Sequence, residues 1–502
     1  MTAEGLALTD GPGWVDHSTD PIMGLFPLAV EQYLNAAVAV NAPGVTTVTN
    51  AARYYLLHPL VADEADRRGM DGACAMDLLR RVEVAFALIC MAHQGQPDHL
   101  DWYPAAHGRD RLLAMARRGK IDLAVAAGTG DGRYANSRSG FLGPYVGSEV
   151  SLGLLGQGGR GPFSPGPAYD RSVVHGELGA VLELATSSTL EFADLLDFSS
   201  LCLCKTANSD DGGLLARRFA GRADERGTVA GNIGQIMRLL GIAMSEAEIR
   251  DRDDLGNFVM YSPVVTQHRQ STDHWLRWRG IRTRMSSVNA WRQIFAHVCR
   301  YLTAGPQTIS QMGDRLATEL PGGTVGAFVD GLPAVADKQG VPLSAELDVT
   351  HRPAPETHLA TLALGARRFE ALDAASPTRL GLVGPPGHRF ESEELSPQWV
   401  SNALDDWRSQ SMGEFARWLT RVMVNRAHRV TMAKSRQRRD GRFSMPLRID
   451  VQDDLVWKHW GEATTEPSIR WTQLMSMGRQ TGIFEVAEDG LWTVGARGHL
   501  LD

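Results

Sequence analysis

Lysine is scarce in this chain. Only five of its 51 basic residues are lysines, so 51 − 5 = 46 of its 502 residues are arginines. GC-rich codon usage explains this bias, together with the abundant alanine and glycine, without any functional requirement. The alternative is that arginine is selected for its bidentate contacts with phosphate groups.

Cysteine is also rare, and its distribution argues against a disulfide-rich fold. The five residues are Cys74, Cys90, Cys202, Cys204 and Cys299, an odd number spread widely along the chain. Such a set predicts reduced thiols in a cytosol. Cys202 and Cys204 form a Cys-x-Cys pair with no second pair near them. We therefore expect two buried thiols on one face of a strand.

No apolar run is long enough for a transmembrane helix. A long one, residues 84–92, has nine residues where about 18 are needed, which favours a buried helix. The amino terminus lacks a basic segment followed by an apolar segment, so we expect no secretory signal. Together these absences predict a cytoplasmic protein.

Several motifs of catalytic sites are missing as well. The sequence contains no P-loop, no His-Glu-x-x-His motif and no Gly-x-Ser-x-Gly motif. The carboxylate-x-Lys and His-x-Lys patterns of two nuclease classes are also absent. A Gly-x-Gly-x-x-Gly match at Gly156, Gly158 and Gly161 is followed at once by prolines, so we expect no dinucleotide-binding turn there. No catalytic residue is assigned.

Potential metal ligands are densest between residues 93 and 107. They are His93, Asp98, His99, Asp101 and His107. Imidazole and carboxylate groups suit Zn²⁺ or Mn²⁺. The spacing, however, fits no compact helical pair, and prolines at positions 97 and 104 predict a surface loop. We expect solvated loop residues here and assign no metal and no cofactor.

Helical periodicity dominates what is present. Apolar residues recur every three or four positions in several segments, and 502 residues exceed what a single core holds. The pattern predicts a mainly α chain (α+β overall) with a multidomain helical body, small β elements and a C-terminal winged helix. The expected divisions are a helical domain (1–127), a Gly/Pro-rich loop region (128–170), a central helical domain (171–345), a helical region ending in a basic helix (346–450) and a winged-helix-like domain (451–502).

Three helical segments contain a residue that predicts a bend or a break. They are residues 51–68 with Pro59, residues 271–302 with Gly280, and residues 396–438 with Gly413. Ser396 followed by Pro397 predicts the start of the third segment. Residues 443–460 alternate loosely, which predicts a strand followed by a helix.

The densest charge of one sign lies between residues 417 and 448. Ten basic side chains occur there: Arg417, Arg421, Arg426, Arg429, Lys434, Arg436, Arg438, Arg439, Arg442 and Arg448. Asp440 is the only acid, so the segment carries 10 − 1 = 9 positive charges within a chain of net charge −7. Such a segment predicts a polyanion or an acidic partner that neutralises it. We interpret it as a basic helix that binds DNA phosphates, with a solvated helix end as the alternative.

The last 35 residues predict the end of a winged helix. A helix over residues 468–480 precedes two short strands, residues 483–486 and 491–494, which flank an Asp489-Gly490 turn. The helix would be the recognition helix, and it offers Arg470 and Arg479. The hairpin is acidic, which suits docking to a protein at least as well as entry into a DNA groove.

Two stretches resemble a family of bacterial proteins encoded in antiphage defence islands. The first is residues 51–58 (AARYYLLH) with the later Ser137-Arg138-Ser139-Gly140, and the second is residues 428–443 with the tail at residues 470–498. Genes of this family often lie beside helicases and phospholipase-D-like nucleases. The resemblance implies a multi-gene defence system with an ATPase or nuclease partner, and it implies no reaction.

The sequence therefore leads to one main hypothesis and two alternatives. The main hypothesis is a non-catalytic, DNA-associated subunit of a bacterial antiphage defence complex, whose winged helix docks DNA or a partner helicase, ATPase or nuclease. The predicted contacts to DNA, most simply a duplex, are Arg429, Lys434, Arg436, Arg438, Arg439, Arg442, Arg470 and Arg479. The alternatives are a metal-dependent nuclease or hydrolase, with its site beneath the loop at residues 128–166, and a pure protein scaffold.

Overall fold

The computed structural model confirms a mainly α-helical protein. It describes residues 19–128, 134–135, 140–156, 163–221, 231–267, 272–337, 341–344, 347–350, 354–438, 441–452, 454–461 and 465–502. Helices dominate this part of the chain, and its strands are short. Within these ranges, no helix combines the length and the apolar character that crossing a membrane requires.

The helices are α1 (Gln32–Asn41), α2 (Tyr54–Arg68), α3 (Gly72–His93), α4 (Arg109–Ala116), α5 (Leu123–Ala127), α6 (Leu142–Ser151), α7 (Arg171–Thr186), α8 (Asp210–Ala220), α9 (Asn232–Glu246), α10 (Arg252–Tyr261), α11 (Val264–Gln267), α12 (Thr272–Arg300), α13 (Ile309–Glu319), α14 (Val325–Asp330), α15 (Leu347–Thr350), α16 (Pro355–Glu370), α17 (Pro377–Val383), α18 (Pro397–Asp406), α19 (Met412–Lys434) and α20 (Trp471–Gln480). Short 3₁₀ helices cover Ala193–Leu201, Leu203–Asn208, Tyr301–Ala304 and Gly498–Leu501.

The strands are β1 (Thr19–Met23), β2 (Lys120–Asp122), β3 (Leu155–Gly156), β4 (Ser164–Pro165), β5 (Thr189–Glu191), β6 (Gln307–Thr308), β7 (Arg436–Gln437), β8 (Phe443–Leu447), β9 (Ile449–Gln452), β10 (Leu455–Lys458), β11 (Phe484–Val486) and β12 (Trp492–Val494). They form sheets of two or three strands.

The chain divides into two compact units, and each consists of two separate stretches of sequence. Unit 1 comprises Met1–Ala37 and Met260–Ile469, and unit 2 comprises Val38–Val259 and Arg470–Asp502. The five consecutive segments expected from composition do not coincide with these units. Composition reports only neighbours in sequence, whereas the units are defined by contacts between distant segments.

Helix α12 forms much of the core of unit 1. Trp275, Trp278 and Trp291 on this helix are among the largest fully buried side chains of the protein. The helix is continuous through Gly280, so the predicted division is wrong. A Cβ atom at position 280 would lie 1.9 Å from the carbonyl oxygen of Thr378 in α17. Glycine at this position therefore permits close packing of α17 on α12.

The break between α18 and α19 is set by a cap and not by Gly413. Ser396 caps α18 by accepting a hydrogen bond from the N–H of Trp399, as its sequence context predicts. Ser411 caps α19 and exchanges hydrogen bonds with Glu414 in a capping box. Gly413 lies in the first turn of α19, so the helix begins before it.

Two three-stranded sheets complete unit 1. In the first, β8 lies between β1, which runs parallel to it, and β7, which runs antiparallel. In the second, β10 lies between β6 and β9. The strand predicted at the start of residues 443–460 is confirmed as β8, but the helix predicted after it is wrong, because β9 and β10 are strands. The loose alternation of the sequence continues through β9 and β10, and a period of two belongs to strands.

Helices α2, α3 and α7 pack together in unit 2. Helix α2 continues through Pro59, so the predicted break is wrong. Pro59 is the sixth residue of α2, so it removes one hydrogen bond, the one to the carbonyl oxygen of Tyr55, without ending the helix. Helix α3 starts with Asp71, whose side chain accepts a hydrogen bond from the N–H of Cys74, and it ends at His93.

The tail belongs to unit 2. Helix α20 and the β11–β12 hairpin are the elements predicted for it, and they pack on α8 and α9. The side chain of Gln480 binds the backbone of Asn50 and Ala52, with both hydrogen bonds at 2.8 Å. The helix and the hairpin are confirmed, and their assignment to a winged helix stays a prediction.

The glycine-rich stretch contains a short hairpin. Gly156 ends β3, which pairs antiparallel with β4. Gly158 and Gly161 of the Gly-x-Gly-x-x-Gly match lie outside the described residues, as do Ser137, Arg138 and Ser139 of the family resemblance.

Candidate nucleic-acid interface

Helix α19 carries the first half of the basic segment, and three of its four arginines contact acids of unit 1. Arg417 donates a hydrogen bond of 2.6 Å from Nε to Asp314. Arg426 is buried, and its guanidinium contacts Glu393 at 3.0 Å and Glu394 at 3.1 Å. These acids neutralise much of the positive charge that the sequence alone assigns to the helix.

Arg429 and Lys434 were predicted to contact DNA, and both contact groups of unit 1. Arg429 is exposed but lies 2.6 Å from the carboxylate of Glu394. The Nζ atom of Lys434 donates to the carbonyl oxygens of Leu25 and Phe26 at 2.8 and 2.9 Å. Burial lowers the pKa of Lys434. These contacts compete with any phosphate for the same donors.

The basic segment is not one helix. Helix α19 ends at Lys434, and Arg436 begins strand β7, so the prediction of a helix through residue 438 is wrong. Strand β7 pairs antiparallel with β8, with Arg436 opposite Ser444. The N–H of Arg438 donates to the carbonyl oxygen of Arg442 at 2.7 Å. Gly441 in the turn has φ +82°, a conformation that favours glycine.

We call residues 436–443 the basic hairpin. Arg436, Arg438 and Arg442 are all exposed on it. Arg436 and Arg438 are two residues apart in extended chain, which places them on one face. Arg439 lies outside the described residues. The basic hairpin therefore concentrates exposed guanidinium groups at one tight turn of unit 1.

Arg470 and Arg479, the two predicted contacts in the tail, make contacts within unit 2. Arg470 donates to the carbonyl oxygens of Ala42 and Val45 at 3.2 and 2.7 Å. The guanidinium of Arg479 lies 3.7 Å from the ring centre of Trp102, a cation–π contact. Both side chains thus stabilise the packing of α20.

A closed cluster of ionisable groups lies elsewhere in unit 2. The two ring nitrogens of His58 approach Glu83 at 3.0 Å and Glu149 at 2.7 Å, and all three side chains are at most 1% exposed. The 2.7 Å approach is an ion-pair contact without hydrogen-bond geometry. Burial disfavours the charged ring, but the charge of Glu149 and the contacts to both carboxylates raise the pKa of His58 to about 10. Such a buried, charged triad favours a structural role.

A second cluster brings together residues that the sequence analysis kept apart. The ligand atoms of His93, Cys202 and Cys204 all lie within 4.8 Å of one another, and the three residues are buried. His93 is thus buried at the end of α3 and is not a solvated loop residue. Cys202 and Cys204 lie where two 3₁₀ helices meet, so the predicted strand is wrong. We call these three residues the thiol–imidazole cluster.

Of the other predicted metal ligands, Asp98 and His99 contact His93, whereas His107 does not. Asp98 contacts Nε2 of His93 at 3.0 Å, and His99 stacks on the His93 ring. His107 is not in the cluster: its Nε2 lies 3.0 Å from the hydroxyl of Tyr145, and burial lowers its pKa to about 4.

A cavity of about 170 Å³ adjoins the thiol–imidazole cluster. Its lining includes Cys90, His99, Asp101, Tyr103, Arg109, Cys202 and Cys204. Contact with Cys204 lowers the pKa of Cys202, but the hydrogen bond with Cys90 and burial outweigh it and raise the pKa to about 12. The contact with Cys202 and burial raise the pKa of Cys204. Both thiols are therefore protonated at neutral pH while no cation is bound.

The sequence contains the residues of this cluster in two short patterns. One is Cys90-x-x-His93 at the end of a helix, and the other is Cys202-x-Cys204. Cys204 and His93 are 111 positions apart, so only the fold shows that they meet.

No protein-family model, curated protein or solved structure matches this chain.

Proposed function

We propose that this protein binds DNA through the basic hairpin, as a non-catalytic subunit of a bacterial antiphage defence complex. The observation that supports this proposal is the exposure of Arg436, Arg438 and Arg442 around one turn. Guanidinium groups bind phosphate oxygens in bidentate fashion and keep their charge at any physiological pH.

We locate the proposed contact at the hairpin and not on α19, because all three described arginines of the hairpin are exposed. Arg417 and Arg426 are occupied by acids of unit 1, so their release would cost the interactions they already make. The hairpin fits the major groove of a duplex, which admits a two-stranded β ribbon. Because the proposed contacts are to phosphates, binding is expected to be largely independent of sequence.

The same proposal implies a protein partner and a cellular location. The β11–β12 hairpin carries Glu485, Glu488 and Asp489, and all three acidic residues are exposed. An acidic surface suits docking of a basic protein surface, and the family resemblance makes an ATPase or nuclease subunit the expected partner. A DNA-associated role in a bacterium implies the cytoplasm.

The test is the salt dependence of DNA binding in an arginine variant. Each neutralised phosphate contributes about 0.9 to the slope of log Kobs against log salt. The triple variant Arg436→Ala, Arg438→Ala, Arg442→Ala should therefore bind duplex DNA more weakly, with a slope that is shallower by about 2 to 3. Fluorescence anisotropy over about 50–200 mM salt measures it.

A second triple variant controls for the loss of charge. Arg250, Arg408 and Arg417 are about half exposed, like many surface arginines, but each is bound to an acid. Replacing all three with alanine removes the same formal charge. The proposal predicts a slope close to that of the wild type for this control. Equal slopes for the two triple variants would contradict a contact at the hairpin.

A further inference from the structure

The imidazole of His93 presents a lone pair to two thiols. Its Nε2 lies 3.0 Å from the carboxylate of Asp98, which only accepts hydrogen bonds when ionised. Nε2 therefore carries the proton, and Nδ1 is the basic nitrogen. Nδ1 lies 3.3 Å from Sγ of Cys204. The lone pair of Nδ1 is therefore directed toward the position that a cation bound to Sγ of Cys204 would occupy.

The separations suit a tetrahedral metal site. With Zn–S bonds of about 2.3 Å and Zn–N bonds of about 2.0 Å, neighbouring ligand atoms of a tetrahedron are about 3.5–3.8 Å apart. The 3.3 Å between Nδ1 of His93 and Sγ of Cys204 is close to that value, and no pair in the cluster exceeds 4.8 Å. Small side-chain adjustments would therefore place all three atoms on one ion.

The surroundings of His93 resemble those of metal-binding histidines. Such residues usually donate their other ring N–H to a carboxylate that orients the ring. Asp98 fills this position and is itself held by Lys205, whose Nζ lies 2.6 Å from Oδ2. This arrangement fixes both the tautomer and the ring orientation of His93. Burying two thiols would not by itself require either of them to be fixed.

From these contacts we propose that unit 2 binds one Zn²⁺ through Nδ1 of His93 and Sγ of Cys202 and Cys204. Thiolate and imidazole ligands in a tetrahedral arrangement favour Zn²⁺ among the common divalent ions. The fourth position faces the cavity of about 170 Å³, which Cys202 and Cys204 line. A site with three protein ligands and an open position accepts water or a small anionic or thiol ligand. This site is separate from the basic hairpin of unit 1.

The first experiment measures metal in the purified full-length chain. After incubation with Zn²⁺ and removal of the excess, the wild type should retain about one equivalent, and the variant Cys202→Ser with Cys204→Ser should retain none. Co²⁺ in place of Zn²⁺ should give tetrahedral d–d bands and thiolate-to-metal charge transfer in the wild type and not in the double-serine variant. Cys74→Ser, at an exposed cysteine outside the cluster, is the matched control and should bind as the wild type does.

Asp98→Asn provides a test that does not disturb the core, because the Asp98 side chain is 62% exposed. Loss of the orienting carboxylate should weaken Zn²⁺ binding by about 10–100-fold. Cys90→Ser should leave the cobalt spectrum unchanged, since the fourth position is assigned to the cavity. A spectrum that loses charge-transfer intensity in this variant would contradict the open position.

Two outcomes would overturn the site itself. One is a wild type that retains no more Zn²⁺ than the double-serine variant. The other is a chain that, purified without reductant, contains three free thiols and a Cys202–Cys204 disulfide that zinc does not prevent.

Discussion

At the scale of residues, unit 2 depends on charges that are buried in pairs. Arg53 and Asp211 are both inaccessible to solvent and are joined by two hydrogen bonds of 2.7 and 2.8 Å. Arg53 also donates to the carbonyl oxygens of Ser200 and Cys202. Burial alone would raise the pKa of Asp211, but the charge of Arg53 lowers it. The pair therefore anchors the 3₁₀ segment that carries Cys202.

Asp211→Ala should lower the free energy of unfolding by about 3–5 kcal/mol, because the buried guanidinium loses the carboxylate that binds it through two hydrogen bonds and keeps only Glu177, at 3.8 Å. Urea denaturation of the full chain measures the change. Asp330→Ala is the control, since Asp330 pairs with Arg408 on the surface and should contribute less than about 1 kcal/mol. Equal costs for the two substitutions would contradict the importance of burial.

The His58 triad predicts a loss of stability at alkaline pH. The pKa of His58 is raised from its ordinary 6.5 to about 10, so its stabilising charge is fully present below about pH 6.5. The contribution is lost as the pH rises through about 10. Denaturation midpoints between pH 7 and 10.5 should fall more steeply for the wild type than for His58→Gln. If that variant does not fold, NMR titration of the His58 ring in the wild type gives its pKa directly; a value near 6.5 would refute the prediction.

At the scale of elements, the helices were predictable and their boundaries and breaks were less so. Apolar periodicity predicted α2, α12 and α20 within a few residues of their observed ends. The role of Gly280 was not predictable, because it depends on α17, which is about 100 residues away in sequence. The end of the basic helix was missed for a different reason: arginine is common in helices and tolerated in edge strands alike, so charge alone does not distinguish them.

Gly280→Ala should destabilise unit 1 by about 1–3 kcal/mol or more, because the added Cβ would meet the backbone of Thr378. Gly176→Ala in α7 is the matched control: a Cβ there meets nothing within 4 Å. Alanine is the better helix former, so this variant should be about 0.5–1 kcal/mol more stable than the wild type. Thermal unfolding of the two variants compares them, and equal destabilisation by both would contradict the packing argument, because an added Cβ meets nothing at position 176.

The thiol–imidazole cluster shows what sequence reasoning lacked. Each half was visible, but the histidine was grouped with its neighbours in sequence and the cysteines with each other. The contact arises because α3 packs against the 3₁₀ helix Ala193–Leu201, which Cys202 and Cys204 follow directly in sequence. Long-range contacts of this kind follow from tertiary packing, which local patterns do not encode.

At the scale of the whole molecule, both compact units are discontinuous in sequence. Residues 470–502 complete unit 2, and they supply a buried helix face that includes Trp471, Leu474 and Met477. Gln480 adds hydrogen bonds to the backbone near the start of α2. The tail is therefore a structural part of its unit and not an appended module, whichever partner its acidic hairpin contacts.

Removing residues 470–502 should destabilise unit 2 more than unit 1. Without α20, apolar side chains of α8 and α9 become exposed, and the backbone groups bound by Gln480 lose their partners. Hydrogen exchange followed by mass spectrometry should show faster exchange in α8 and α9, with α12 and α16 as the internal reference. Glu488→Ala, an exposed change in the hairpin, is the control and should leave exchange unaltered. Equal acceleration in both units, or none, would contradict this account.

The most direct test of the proposed function is the binding of duplex DNA by the wild-type protein as a function of salt. Several phosphate contacts at the basic hairpin predict measurable binding at about 50 mM salt and a log–log slope of about −3 or steeper. No binding at low salt, or binding with a slope near zero, would contradict a DNA-associated role and leave the exposed arginines to an acidic protein partner.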